Sequence, residues 1–242
     1  MKTAVLLIGH GSRDKEGNEE FLRLVEAVRS RLPGSSVLHA YLEFEKPTIV
    51  DGIHQCVQGG AERLLIAPVI LFAAKHAKED IPREIEKGLD IGLRVPYCYL
   101  EPFGAQLEMV EKVEVQIRSL GKGQSLNRVL FVGRGSSDRA ANQDFIDLVH
   151  LFARMYQYPQ VEYCFMAFEK PSLEEKIEAL SSGSENWIVV PYFLFTGSLL
   201  SRLRESVRKI DLSGSRFRLL EPLGKDTQLA DILYQKVQTV LN

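Results

Sequence analysis

Gly9-His10-Gly11-Ser12-Arg13-Asp14 follows the apolar run Ala4-Val5-Leu6-Leu7-Ile8, and it returns as Gly133-Arg134-Gly135-Ser136-Ser137-Asp138 after Val129–Val132. Three more stretches return in the same order and at nearly constant spacing. Phe44-Glu45-Lys46-Pro47 reappears as Phe168-Glu169-Lys170-Pro171, Pro68-Val69-Ile70-Leu71-Phe72 as Pro191-Tyr192-Phe193-Leu194-Phe195, and Leu100-Glu101-Pro102-Phe103-Gly104 as Leu220-Glu221-Pro222-Leu223-Gly224. An ordered set of repeats over the whole chain marks an internal duplication. The expected organisation is two lobes, residues 1–120 and 121–242, with Gly121-Lys122-Gly123-Gln124-Ser125 as the linker and the active-site cleft between the lobes.

Within each half, short apolar runs alternate with helical patterns. Ala4–Ile8 reads as a strand buried on both faces. Asn18 to Arg31 carries Phe21, Leu22, Leu24, Val25 and Val28 at helical spacing. Strands at Val37–Leu42, Leu64–Ala67 and Arg94–Leu100 alternate with helices opening at Pro47-Thr48, near Pro82 and at Gln106. The second half repeats this order. Strands alternating with helices predict an α/β fold with a parallel sheet in each lobe. Ligands of such sheets sit beyond the carboxyl ends of the strands.

Composition limits the function classes. The 242 residues are 45% hydrophobic and 26% charged, with a formal net charge of −2. That balance describes a globular domain pair without a general attraction for nucleic acid or membrane surfaces. Cys56, Cys98 and Cys164 form no CxxC pair and read as apolar filler in a reducing compartment. The chain runs straight into a strand pattern, and no stretch approaches the roughly 18 apolar residues of a membrane span. The expected location is the cytoplasm.

The two copies differ at the positions that could carry chemistry. His10 aligns with Arg134, Glu43 with Ala167, and His76 with Leu199. A turn that accepts arginine in one copy does not need histidine for its shape. His10, Glu43 and the loop carrying His76 all follow strand ends on the same side of the first sheet. Two imidazoles and one carboxylate suit a first-row divalent ion such as Fe²⁺, Co²⁺ or Ni²⁺. Three protein ligands leave coordination positions open, which suits reaction or transfer better than storage. Imidazole also titrates near neutrality and can accept protons. The repeated Glu45-Lys46-Pro47 reads as a structural turn and helix start. His39 lies inside a strand and His54 and His150 on helices, away from this group.

Taken together, Ile8-Gly9-His10-Gly11-Ser12-Arg13, Tyr41-Leu42-Glu43 with Pro47, Ala67-Pro68 through Leu71, His76 and Asp80-Ile81-Pro82 resemble the sirohydrochlorin chelatases. These are the class II, ATP-independent chelatases of sirohaem and cobalamin synthesis. The likeness covers essentially the whole chain and matches the long, duplicated form. It implies a lyase that inserts Fe²⁺ or Co²⁺ into sirohydrochlorin, a tetrapyrrole bearing eight carboxylates. It implies no cofactor beyond the substrate metal. By this likeness His10 binds metal and accepts pyrrole protons, His76 is the second metal ligand, and Glu43 contacts the macrocycle or helps remove protons. Leu71, Phe72, Ala73, Ala74 and Lys75 border the substrate. Arg13, Lys75, Lys78 and Arg134 are candidates to meet its carboxylates. With both halves on one chain, a monomer is expected.

Four other readings share features. Histidine phosphatases place Arg-His-Gly after the first strand, and here glycine replaces that arginine. Two-histidine-one-carboxylate oxygenases resemble jelly rolls, whereas this pattern is βα. A protoporphyrin ferrochelatase calls for a more apolar substrate face. A non-catalytic tetrapyrrole or metal carrier of the same fold stays open as the alternative at this point.

Overall fold

The computed structural model describes residues 2–90, 95–121, 127–181, 183–211, 216–225 and 228–241. Two four-stranded parallel sheets are each flanked by helices. In the first, β1 (Thr3–Gly9), β2 (Ser36–Tyr41), β3 (Arg63–Pro68) and β4 (Tyr97–Tyr99) lie in the order β2-β1-β3-β4. Helices α1 (Lys15–Arg31), α2 (Ile49–Gln58) and α3 (Ile81–Leu89) connect them. In the second, β5 (Arg128–Gly133), β6 (Val161–Phe165), β7 (Trp187–Pro191) and β8 (Phe217–Leu219) lie in the order β6-β5-β7-β8. The connecting helices are α5 (Arg139–Met155), α6 (Leu173–Ser181) and α7 (Ser198–Ile210), while α4 (Leu107–Ser119) and α8 (Gln228–Leu241) close the two repeats. The expected linker from Lys122 to Ser125 and the expected strand start at Arg94 lie outside the described residues.

The continuous apolar run of β1 is explained by its central place. Ala4 to Ile8 are buried at 0–1% exposure and pair with β2 on one side and β3 on the other. Leu6 and Ile8 pack with Ile53, Ile66, Ile81 and Ile85. Each such side chain contributes roughly 1.5–3 kcal/mol by leaving water. In the second sheet, Leu130 and Val132 pack with Val189, Leu203 and Trp187 in the same manner. Burial pushes the Cys56 thiol up to about 11 and the Cys164 thiol up to about 12, in keeping with their place in the two cores.

Local chemistry sets the helix starts. Helix α1 begins at Lys15, ahead of the Asn18 start that periodicity suggests, because the Asp14 carboxylate accepts the Glu16 amide at 3.0 Å. Helix α2 begins at Ile49, with Thr48 and Asp51 forming a reciprocal capping box. Pro47 therefore precedes the cap, and the Lys46–Pro47 bond is cis, as is Lys170–Pro171 in the second copy.

The compact units are not the sequence halves 1–120 and 121–242. One unit comprises Met1–Gly104 with Asp226–Asn242, and the other Ala105–Lys225. Each repeat thus gives its last helix to the other unit. Helix α8 packs on α1 through Leu229, Ile232, Leu233 and Val237, with an Arg31–Asp231 ion pair at 2.6 Å. Helix α4 packs against α5, where Glu114 accepts from Tyr158 Oη at 2.8 Å and pairs with Arg118 at 2.6 Å. The reason is the duplication itself. The two repeats share their element order and their motifs, so each offers a comparable docking place for a terminal helix.

A buried asparagine ties the loops of each unit. Asn18 accepts the Ser12 amide at 2.9 Å and donates to Ser12 O at 2.7 Å and to Glu45 Oε1 at 3.3 Å. Asn142 repeats this with Ser136 at 2.8 Å in both directions and with Glu169 at 3.2 Å. Replacing either asparagine with alanine leaves half-buried backbone groups unsatisfied. Asn18→Ala and Asn142→Ala are each expected to lower stability by about 1–3 kcal/mol in urea unfolding. Loss from only one of the two would show that the repeated hub is not structural in both copies.

Candidate metal centre

The strand order changes direction between β1 and β3, so the loops leaving their carboxyl ends diverge there. The β1 loop carries His10, and the β3 loop leads to His76. The adjoining β2 loop carries Glu43. One ligand atom from each of His10, Glu43 and His76 lies within 4.8 Å of the others. Both histidines are half-buried and Glu43 is exposed. The imidazole centroids are 5.0 Å apart in an edge-on arrangement.

Backbone geometry brings His10 and Glu43 together. The β1–β2 ladder continues past the strand ends, with Leu42 N donating to Gly9 O and Glu43 N to His10 O, both at 2.9 Å. Gly11 then turns at φ +85°, and a Cβ there would lie 1.9 Å from the Glu43 carbonyl oxygen. Only glycine permits this approach. The second unit has the same construction: Met166 N bonds Gly133 O, Ala167 N bonds Arg134 O, and a Cβ on Gly135 would lie 1.8 Å from Ala167 O.

His76 is set by a different device. It opens a π-helical turn, His76–Asp80, that runs into α3. Such turns recur at functional sites because they re-aim side chains. In the second unit α7 starts directly at Ser198, with Leu199 at the position of His76. The stretch before the turn is pinned by Phe103 N to Ile70 O at 3.0 Å and Gly104 N to Leu71 O at 2.6 Å. Leu223 and Gly224 bond Phe193 and Leu194 in the same way. The repeated Leu-Glu-Pro-x-Gly motif is therefore the strut of the β3 and β7 loops.

The hydrogen bonds select the ring tautomers. His10 Nδ1 lies 2.9 Å from Gly11 O, and His76 Nδ1 lies 2.9 Å from Asp80 Oδ2. A carbonyl or carboxylate oxygen accepts, so Nδ1 carries the proton of each neutral ring and Nε2 holds the lone pair. Asp80 also accepts from Arg83 at 2.7 Å. Burial acts to raise the Asp80 pKa, but the hydrogen bond and charge of His76, with Arg83 and Lys75, bring it below the ordinary carboxylate value.

The remaining expected residues fall in two groups. Leu71, Phe72, Ala73 and Ala74 are half-buried and Lys75 is exposed, all in the stretch leading to His76. Arg13 is exposed in the β1 loop, its guanidinium 5.0 Å above the Phe44 ring. Arg134 is exposed in the loop after β5 and belongs to the other unit. His39, His54 and His150 lie on β2, α2 and α5, outside the cluster. Asp80, Asn18 and Phe44 stand in motifs or elements legible in the sequence, but the sequence gives none of them a role at the site. The four-residue spacing of His76 and Asp80 was a legible sign of a contact across one helical turn.

Comparison with known proteins identifies the family. The CbiX family model matches residues 4–120 and again residues 128–240. The chain belongs to the CbiX family. It is 34% identical to the sirohydrochlorin ferrochelatase of Priestia megaterium, over 99% of this chain and 91% of that protein. It is 32% identical to the sirohydrochlorin cobaltochelatase of the same organism, over 97% of this chain and 79% of that protein. The solved structure of SirB from Bacillus subtilis with Fe³⁺ superposes with a TM-score of 0.90 at 30% identity, covering 98% of this chain and 95% of that one. Among the described residues of this CbiX-family chain, no helix is long and apolar enough to cross a membrane.

The Arg83–Asp80–His76 chain of contacts fixes the orientation of the imidazole. Asp80→Ala is expected to weaken Co²⁺ binding by about 10–100-fold with the far-UV circular dichroism unchanged. Unaltered Co²⁺ affinity by isothermal titration would show that Asp80 does not support His76.

Proposed function

We propose that this chain inserts Fe²⁺ or Co²⁺ into sirohydrochlorin, as a cytoplasmic, monomeric enzyme with no cofactor beyond the substrate metal. The observation that carries the proposal is the convergence of His10, Glu43 and His76 at the carboxyl ends of one parallel sheet. The open, partly exposed donor set suits a metal that must leave again. Ni²⁺ meets the same donors, and selection among these ions follows from geometry and supply.

In this reading His10 and His76 present Nε2 to the incoming ion, with Glu43 as the third group near it. The reaction forms metal–nitrogen bonds in the macrocycle and expels two pyrrole protons. His10 takes the larger share of these protons, because its loop is the more tightly constrained, and Glu43 assists from the adjoining strand end. As the ion passes to the macrocycle, the imidazoles lose it and can accept protons in its place. Leu71 to Ala74 offer the macrocycle a largely apolar border. Arg13, Lys75 and Lys78 supply cations for its carboxylates.

Anaerobic mixing with sirohydrochlorin and Co²⁺ or Fe²⁺, followed by the absorption of the macrocycle, tests the proposal. Multiple turnovers above the uncatalysed rate are expected. His10→Ala and His76→Ala should each lower that rate by about a hundredfold or more. Binding spectra without turnover would identify a carrier instead, and full activity in His10→Ala would overturn its role as proton acceptor.

A further inference from the structure

Phe44 and Phe168 are the non-glycine residues held at positive φ, 64° and 69°, among those described. Left-handed backbone is rare for a bulky residue. Each residue centres a three-residue turn, closed by Glu45 N to Glu43 O at 2.8 Å and by Glu169 N to Ala167 O at 2.9 Å. Such γ-turns are strained. Each turn also puts an aromatic ring in water, 52% exposed at Phe44 and 71% at Phe168. Neither backbone preference nor burial explains an aromatic side chain at this position. Outliers of this kind cluster at ligand sites.

The two copies differ in what surrounds the ring. At Phe44, the Arg13 guanidinium sits 5.0 Å above the centroid, and the His10 ring lies 6.1 Å away at a tilt of 34°. Arg13 aligns with Ser137 in the second copy, and among the described residues no cation or ring partners Phe168. The arginine–aromatic pair therefore occurs in the unit that holds the metal cluster. A cation on an aromatic face loses side-chain freedom before any ligand arrives.

We propose that Phe44 is a substrate-binding residue: its exposed ring packs against the flat apolar body of the tetrapyrrole and fixes Arg13 to meet a peripheral carboxylate. This inference rests on the chelatase reading and adds a named macrocycle contact beside the metal cluster. It separates the two substrates. The histidines and Glu43 take the ion, while Phe44 and Arg13 take the organic partner.

Phe44→Gly is the informative variant, since glycine adopts this backbone freely and only the ring is lost. Anaerobic titration with metal-free sirohydrochlorin should show binding about tenfold weaker in Phe44→Gly, with Co²⁺ binding by the free protein within about twofold of wild type. Phe44→Trp should restore tetrapyrrole affinity. Arg13→Ala should weaken binding in the wild-type background and have a much smaller effect in Phe44→Gly, because the two residues act as a unit. Wild-type tetrapyrrole affinity in Phe44→Gly, or additive effects of the two substitutions, would overturn this inference and leave the chelatase reading intact. Failure of the wild-type protein to bind sirohydrochlorin would overturn both.

Discussion

The site depends on one close approach of two backbones. Gly11 passes so near the Glu43 carbonyl that a single Cβ would lie 1.9 Å from its oxygen, while the Glu43 amide bonds the His10 carbonyl at 2.9 Å. The β1 and β2 loops are thereby locked in register beyond the end of the sheet. A histidine on one loop and a carboxylate on the other then have little choice of position. Asn18 secures the same loops from beneath, joining Ser12 to Glu45.

The duplication separates framework from chemistry. Gly135, Asn142, Glu169 and the Leu223–Gly224 strut reproduce the backbone contacts of the first unit closely. Arg134, Ala167 and Leu199 stand where the ligands would be. The framework thus persists without the cluster. The π-helical turn at His76 and the Arg13–Phe44 pair are the local departures that accompany the ligands. Exchange of α4 and α8 between the compact units is a further consequence of having two similar docking faces on one chain.

Much of this was legible in the residues, for physical reasons. The repeated motifs are the positions where backbone approaches or loop struts restrict the side chain, so they survive in both copies. The apolar run Ala4–Ile8 announces a strand buried on both faces because the sheet is parallel. Histidines present in one copy alone stand out as candidates for chemistry because the fold does without them in the other. What stayed hidden needs three dimensions. The exchange of terminal helices leaves no trace in periodicity, since either unit satisfies the same apolar face. A left-handed Phe44 looks like any phenylalanine before a charged turn. Asn18 is a polar residue in the charged first turns of helix α1, and only its recurrence as Asn142 hints at burial. Helix α1 starts before Asn18 because a cap at Asp14 outweighs the apolar periodicity.

On the proposed reading, the duplicated framework supports a metal site in one unit only, built from His10, Glu43 and His76. Anomalous diffraction from crystals soaked anaerobically in Co²⁺ would locate the ion. One strong peak is expected, bonded to Nε2 of both histidines with the Glu43 carboxylate beside it, and no matching peak at Arg134 and Ala167. A cobalt peak in the second unit, or one in the first that avoids both imidazoles, would rule this site out.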